Sequence, residues 1–290
     1  MTARNSRPRR VAATDDQLKL HRRVMVLDGR VHTVITLRPG TDFRFSTNRF
    51  HGTWHILSDW RGARVLARLL WGLSYQRRSG TLVVIDTRHL DPNPFDGAPA
   101  DPIVLVPTDR TVFTRRSAAA LSRRLPLRDR PDGTVRWQTF GLDPAVAEVA
   151  AWRERLFAGA AEHWAPPRGR CRVDRYGRML VLAGSAEWLR DWAVGIARLG
   201  DCSCADMDYT YLDEGVDGEV QIFRQYRRMV GAARQARAEL CGTAGAPSRS
   251  AESLQPRIWS RAAEIRRRGL PALSGRRERI TVPRAGGTGY

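Results

Sequence analysis

Lysine is almost missing from this chain. Lys19 stands alone, so arginine supplies 48 of the 49 basic residues. A phosphate-binding P-loop needs Gly-Lys ahead of Ser or Thr, whereas Lys19 lies between Leu18 and Leu20. That loop is excluded, and Schiff-base or kinase-type lysine chemistry would rest on Lys19 alone. There is no His-Glu-x-x-His. Gly184-Ser185 runs on into Ala-Glu, so it is not a nucleophile elbow. The glycines of "GGTGY" close the sequence instead of following a strand, which excludes a dinucleotide-binding loop.

Long apolar runs are also lacking. No uncharged run exceeds nine residues, as in Leu240 to Ser248, against about 20 apolar residues for a spanning helix. No transmembrane segment is expected. The first 14 residues have no apolar stretch of the secretory kind. Cysteine is scarce, with four in 290 residues, which fits reduced thiols in a cytoplasmic protein.

What is present is positive charge, +19 overall. GC-rich bacterial coding favours arginine over lysine, so distribution says more than number. Residues 220–290 hold 15 bases and 4 acids, +11, while residues 171–219 hold 5 and 10, −5. The acidic stretch "DCSCADMDYTYLDEGVDGE" (201–219) contains seven acids and no base.

Alternation and helical periodicity set the expected path. Residues 22–27 and 30–37 form a hairpin through Asp28-Gly29, and short strands follow over 42–57. A helix capped by Ser58 covers about 59–75. Strands at 80–86 and 103–107 flank a Pro- and Asp-rich loop. Helices are expected at 115–124 and 144–163, with a strand at 134–140 between them. A hairpin over 170–184 leads into a helix capped by Ser185. The acidic stretch reads as a second hairpin turning at Asp217-Gly218, and a further helix covers about 219–240. Residues 54–86 and 179–208 share a strand, Ser, helix order. The fold class is α+β, or alternatively α/β with a mixed sheet, built from strand–helix–strand units.

The main domain is expected over 21–241, with a sub-boundary near 125–143. A basic arm (1–20) precedes it. A linker (242–256), a short basic amphipathic helix (257–269) and a tail (270–290) follow. Ile258, Ala262 and Ile265 give that helix one apolar face.

Four constellations could carry chemistry. Asp86, His89 and Asp91 follow a strand end, where catalytic acids, bases or metal ligands gather in open sheets. Asp206 and Asp208 form an Asp-x-Asp pair that could hold a divalent metal; a solvent-facing hairpin is the alternative. Cys202-x-Cys204 lacks zinc-knuckle spacing. His51 and His55 would lie about 13 Å apart along a strand, too far to share an ion.

The fourth is "FRFSTNRF" with Trp54, where aromatics interleave with Arg44 and Arg49. Such a pattern can stack bases and hold phosphates. Arg61, Arg64 and Arg68 on one helix, Arg227, Arg228 and Arg234 on another, and Arg266, Arg267 and Arg268 near the end extend the basic surface. The leading expectation is a non-enzymatic binding protein that contacts nucleic acid or an acidic protein partner. A metal-dependent enzyme acting on a phosphate-containing substrate is the rival. An immunity-type interaction module using the acidic segment is a third reading.

Overall fold

The computed structural model describes residues 17–162, 165–200, 206–213, 215, 217–241 and 251–268. The chain runs β1 (Gln17–Leu27), β2 (Arg30–Thr36), β3 (Phe45–Phe50), β4 (Thr53–Ser58), α1 (Trp60–Ser74) and β5 (Thr81–Ile85). A 3₁₀ turn (Thr87–His89), β6 (Ile103–Pro107), α2 (Arg115–Ser122), β7 (Gly133–Gln138) and α3 (Leu142–Phe157) follow. Next come β8 (Cys171–Tyr176), β9 (Met179–Gly184), α4 (Ala186–Ala197), β10 (Met207–Tyr211), β11 (Gly218–Phe223), α5 (Tyr226–Cys241) and α6 (Ala251–Arg268).

The protein is α+β with two mixed sheets. The larger has the order β7-β1-β2-β5-β6-β9-β8, and the smaller β10-β11-β4-β3. Parallel pairs occur at β2/β5, β6/β9 and β4/β11; all other neighbours are antiparallel. β5, β6 and β9 are buried along their whole length. That is why "TLVVI", "IVLVP" and "MLVLAG" read as continuous apolar runs instead of alternating.

Helices α1 and α4 pack side by side between the two sheets. Leu66, Leu70 and Trp192 share one core with Val83, Leu105 and Leu182 of the large sheet and Ile56, Val220 and Ile222 of the small one. The far face of the large sheet (Val34, Leu82, Val84, Val181) is covered by Ala118 and Leu121 of α2. The far face of the small sheet (Leu57, Phe223) is covered by Tyr226 and Val230 of α5. The molecule is therefore layered helix, sheet, helix, sheet, helix. Gly72 permits the central packing. A Cβ there would lie 2.3 Å from the Trp137 indole nitrogen, which donates to the Arg68 carbonyl at 3.1 Å. Among the described residues, no helix is long and apolar enough to cross a membrane.

Several boundaries differ from expectation. Asp59, not Ser58, caps α1: its carboxylate accepts from the Gly62 amide at 2.8 Å. The Ser58 hydroxyl instead donates to the Arg44 carbonyl at 2.6 Å. Residues 218–223 are strand, so the helix expected from 219 begins at Tyr226. The β10–β11 hairpin forms, but Asp217-Gly218 opens β11 and is not its turn. Pairing to β4 in the middle of a sheet overrides the local turn signal. α6 starts at Ala251, inside the stretch expected as linker, and continues through Pro256. It packs Ile258 and Ala262 on Ala232, Ala233 and Ala236 of α5. Of the expected arm (1–20), residues 17–20 instead open β1, with Leu20 in the core; residues 1–16, 242–250 and the tail lie outside the described residues. The shared order of 54–86 and 179–208 does not extend to topology, since α1 leads from the small sheet to the large and α4 leads back.

Candidate nucleic-acid interface

β4 and β11 are parallel, with Ser58 beside Ile222, so both carboxyl ends emerge at one edge of the small sheet. Each strand turns directly into a helix, α1 after β4 and α5 after β11. β3 runs antiparallel to β4 with Phe45 opposite Ser58, which brings Asp42 and Arg44 to the same edge. Topology thus gathers residues that are some 180 positions apart in sequence.

Arg227 donates to the Asp42 carboxylate at 2.8 Å and to its carbonyl at 2.7 Å. This hydrogen bond and the Arg227 charge hold the Asp42 carboxyl below its ordinary range, with Arg44 and Arg61 acting in the same sense. Arg234 pairs with Asp91 at 3.2 Å. Burial pushes the Asp91 carboxyl up, against the pull of Arg234, Arg44 and Arg227. Below them the Tyr226 and Ser46 hydroxyls lie 2.6 Å apart. Ser46 also faces the Asp91 and Pro92 carbonyls at 2.9 and 2.8 Å. Carbonyls only accept, so the Ser46 proton serves them and Tyr226 donates to Ser46. Burial keeps the Tyr226 phenol above its ordinary range.

Trp60, the first residue of α1, sits at this edge with 47% of its surface exposed. Arg61 and Arg64 lie over its ring at 5.3 and 5.5 Å from the centroid, within cation–π range. On the solvent face of α1 only Trp60, Arg61 and Arg64 are exposed, and Arg68 is half-buried. Sequence reading found these three arginines but missed Trp60. The signal was a Trp followed by Arg at i+1 and i+4 on a helix, which brings both cations to its ring.

Of the eleven arginines singled out from sequence, Arg44, Arg61, Arg227 and Arg234 therefore meet at one edge, and Arg64 and Arg68 continue along α1. The others lie elsewhere. Arg49 covers Trp54 at 5.4 Å. Arg228 donates to the Arg266 carbonyl at 2.6 Å and joins α5 to α6. Burial and the Arg228 charge hold the Arg266 guanidinium below its ordinary range. Arg267 and Arg268 are exposed at the end of α6. Within "FRFSTNRF", Phe45 is core, Phe43 packs against that core, and Phe50 rests on Trp259 of α6 at 5.5 Å.

The acidic candidates do not converge. Asp86 and His89 line one small cavity with His21 and Arg23. Asp86 accepts from the Thr87 amide, the Thr87 hydroxyl and the Leu127 amide. Asp91 belongs to the arginine cluster instead. Asp208 accepts from the Gly200 and Tyr209 amides, and Asp206 gives its carbonyl to Arg224. Among the described residues, no three His, Cys, Asp or Glu side chains come together as a metal site. His55 reaches Asn48 at 2.9 Å and Glu219 at 3.5 Å, and His51 is held in the turn at Gly52 with its ring on Phe50. Cys202 and Cys204 lie outside the described residues. No family model, curated protein or solved structure matches the chain.

Proposed function

We propose that this protein binds single-stranded nucleic acid along the exposed face of α1, with no chemistry of its own on the strand. A base stacks on Trp60, and Arg61, Arg64 and Arg68 contact successive phosphates. Arg44 adds positive charge at the edge where α1 and α5 begin, and Arg227 and Arg234 lie there paired with Asp42 and Asp91. The observation that carries this reading is the half-exposed Trp60 ring flanked by two guanidinium groups on a helix face otherwise exposing only arginine. Aromatic stacking with arginine contacts is tolerant of sequence, because every base presents a π-face. The +19 net charge favours encounter with a polyanion, and a cytoplasmic location fits the composition.

Fluorescence anisotropy with labelled single-stranded DNA and RNA tests the proposal. Binding that weakens in Trp60→Ala and in the Arg61→Gln/Arg64→Gln pair supports it. No binding at micromolar protein and low salt, or binding indifferent to these substitutions, defeats it.

A further inference from the structure

The polar cavity at the end of β5 has a simpler occupant than a substrate: we infer that Arg23, His89 and Asp86 hold one buried water molecule. Arg23 of β1 is only 8% exposed. Its terminal nitrogen donates to the Leu127 carbonyl at 3.3 Å, while its buried Nε has no protein partner. His89 is 4% exposed. Its Nε2 lies 3.1 Å from the Arg38 carbonyl. A carbonyl can only accept, so Nε2 carries the ring proton. Nδ1 is left as a bare lone pair, also buried and also without a protein partner.

Arg23 and His89, which carry these two orphan groups, both line the same cavity of about 20 Å³. One water needs about 10–15 Å³ and makes about three hydrogen bonds. The walls offer one N–H donor, one ring acceptor and the Asp86 carboxylate, so the occupant must accept once and donate twice. Water does this. A halide can only accept and would face the His89 lone pair. A metal cation could take His89 and Asp86 but would meet the Arg23 guanidinium. The remaining ionisable neighbours are His21, Arg38, Arg44 and Arg88. The three arginines make the site more positive and add to the case against a cation. Burial keeps both His21 and His89 below their ordinary range, hence neutral near pH 7.

The water completes a knot. Asp86 holds the Leu127 amide, Arg23 holds the Leu127 carbonyl, and the water ties both to His89. Asp86 and His89 thereby fix the segment around Leu127 against the ends of β1 and β5.

A crystal structure of the full chain at about 2 Å or better decides this. The expected result is one peak within about 2.7–3.2 Å of Arg23 Nε, His89 Nδ1 and an Asp86 oxygen. Soaking with bromide should leave no anomalous signal there. In solution, the Leu127 amide of the full chain should show transfer from a long-lived water, and His89→Leu should abolish it. Empty density, a bromide peak, or no water transfer to the Leu127 amide in the unsubstituted protein would each overturn the inference.

Discussion

Replacing Trp60 and its two flanking arginines should separate stacking from charge, because each leaves a different trace in the salt dependence. For single strands, log K falls with log salt at about 0.7 per phosphate neutralised. Three contacts, from Arg61, Arg64 and Arg68, give a slope of about −2.1 and about 20-fold weaker binding between 50 and 200 mM salt. Arg61→Gln/Arg64→Gln removes two contacts, so the slope should fall by about 1.4. Trp60→Ala removes a stacking face worth about 1–3 kcal/mol, or about 5- to 150-fold in affinity, and should leave the slope unchanged. The assay is anisotropy of a labelled oligonucleotide at four or five salt concentrations. Trp60 is half-exposed and both arginines are solvent-facing, so the folded state should tolerate these changes; thermal unfolding checks this. If Trp60→Ala changes the slope as much as the double substitution does, or neither variant differs from the parent, the assignment of roles is wrong.

Tyr226→Phe removes the donor to Ser46 and should cost about 0.5–1.5 kcal/mol in urea unfolding; no loss would mean the 2.6 Å contact is not a stabilising bond. Gly72→Ala forces a methyl into the Trp137 indole and should destabilise by about 1–3 kcal/mol, with an altered Trp emission spectrum; a neutral result would show that the core yields there. His55 and His89 are both held below their ordinary range, burial being the first cause in each. The unfolded chain therefore binds more protons as pH falls through about 6.5. Their contribution to stability is complete above that pH and is lost as pH falls from there through the depressed folded values. Urea midpoints at pH 7.5, 6.5 and 5.5 should decline in that order, and more shallowly in His89→Leu; midpoints flat across the series would contradict the burial argument.

Local sequence determined the pieces of this protein. The β1–β2 turn at Asp28-Gly29 and the Ser185 cap of α4 formed as expected because their signals act within a few residues. The buried runs of β5, β6 and β9 followed from apolar continuity, and the Ile258 face of α6 from helical spacing. Composition settled the missing P-loop and the positive surface. What the chain could not disclose locally was decided by long-range pairing. β11 became a strand in place of a helix start because β4, more than 150 residues earlier, hydrogen-bonds along it. Asp86, His89 and Asp91 look like one group along the chain. The 3₁₀ turn sends the first two into the large sheet's end cavity, while the Asp91 amide pairs with Phe45 and its carboxylate with Arg234. Arg44, Arg61, Arg227 and Arg234 became neighbours only because two parallel strands end at one edge and each turns straight into a helix. Periodicity can place an arginine on the outer face of its own helix. Which arginines from different elements meet, and which aromatic ring they meet around, depends on strand order, and strand order is fixed by burying both sheets against α1 and α4 together.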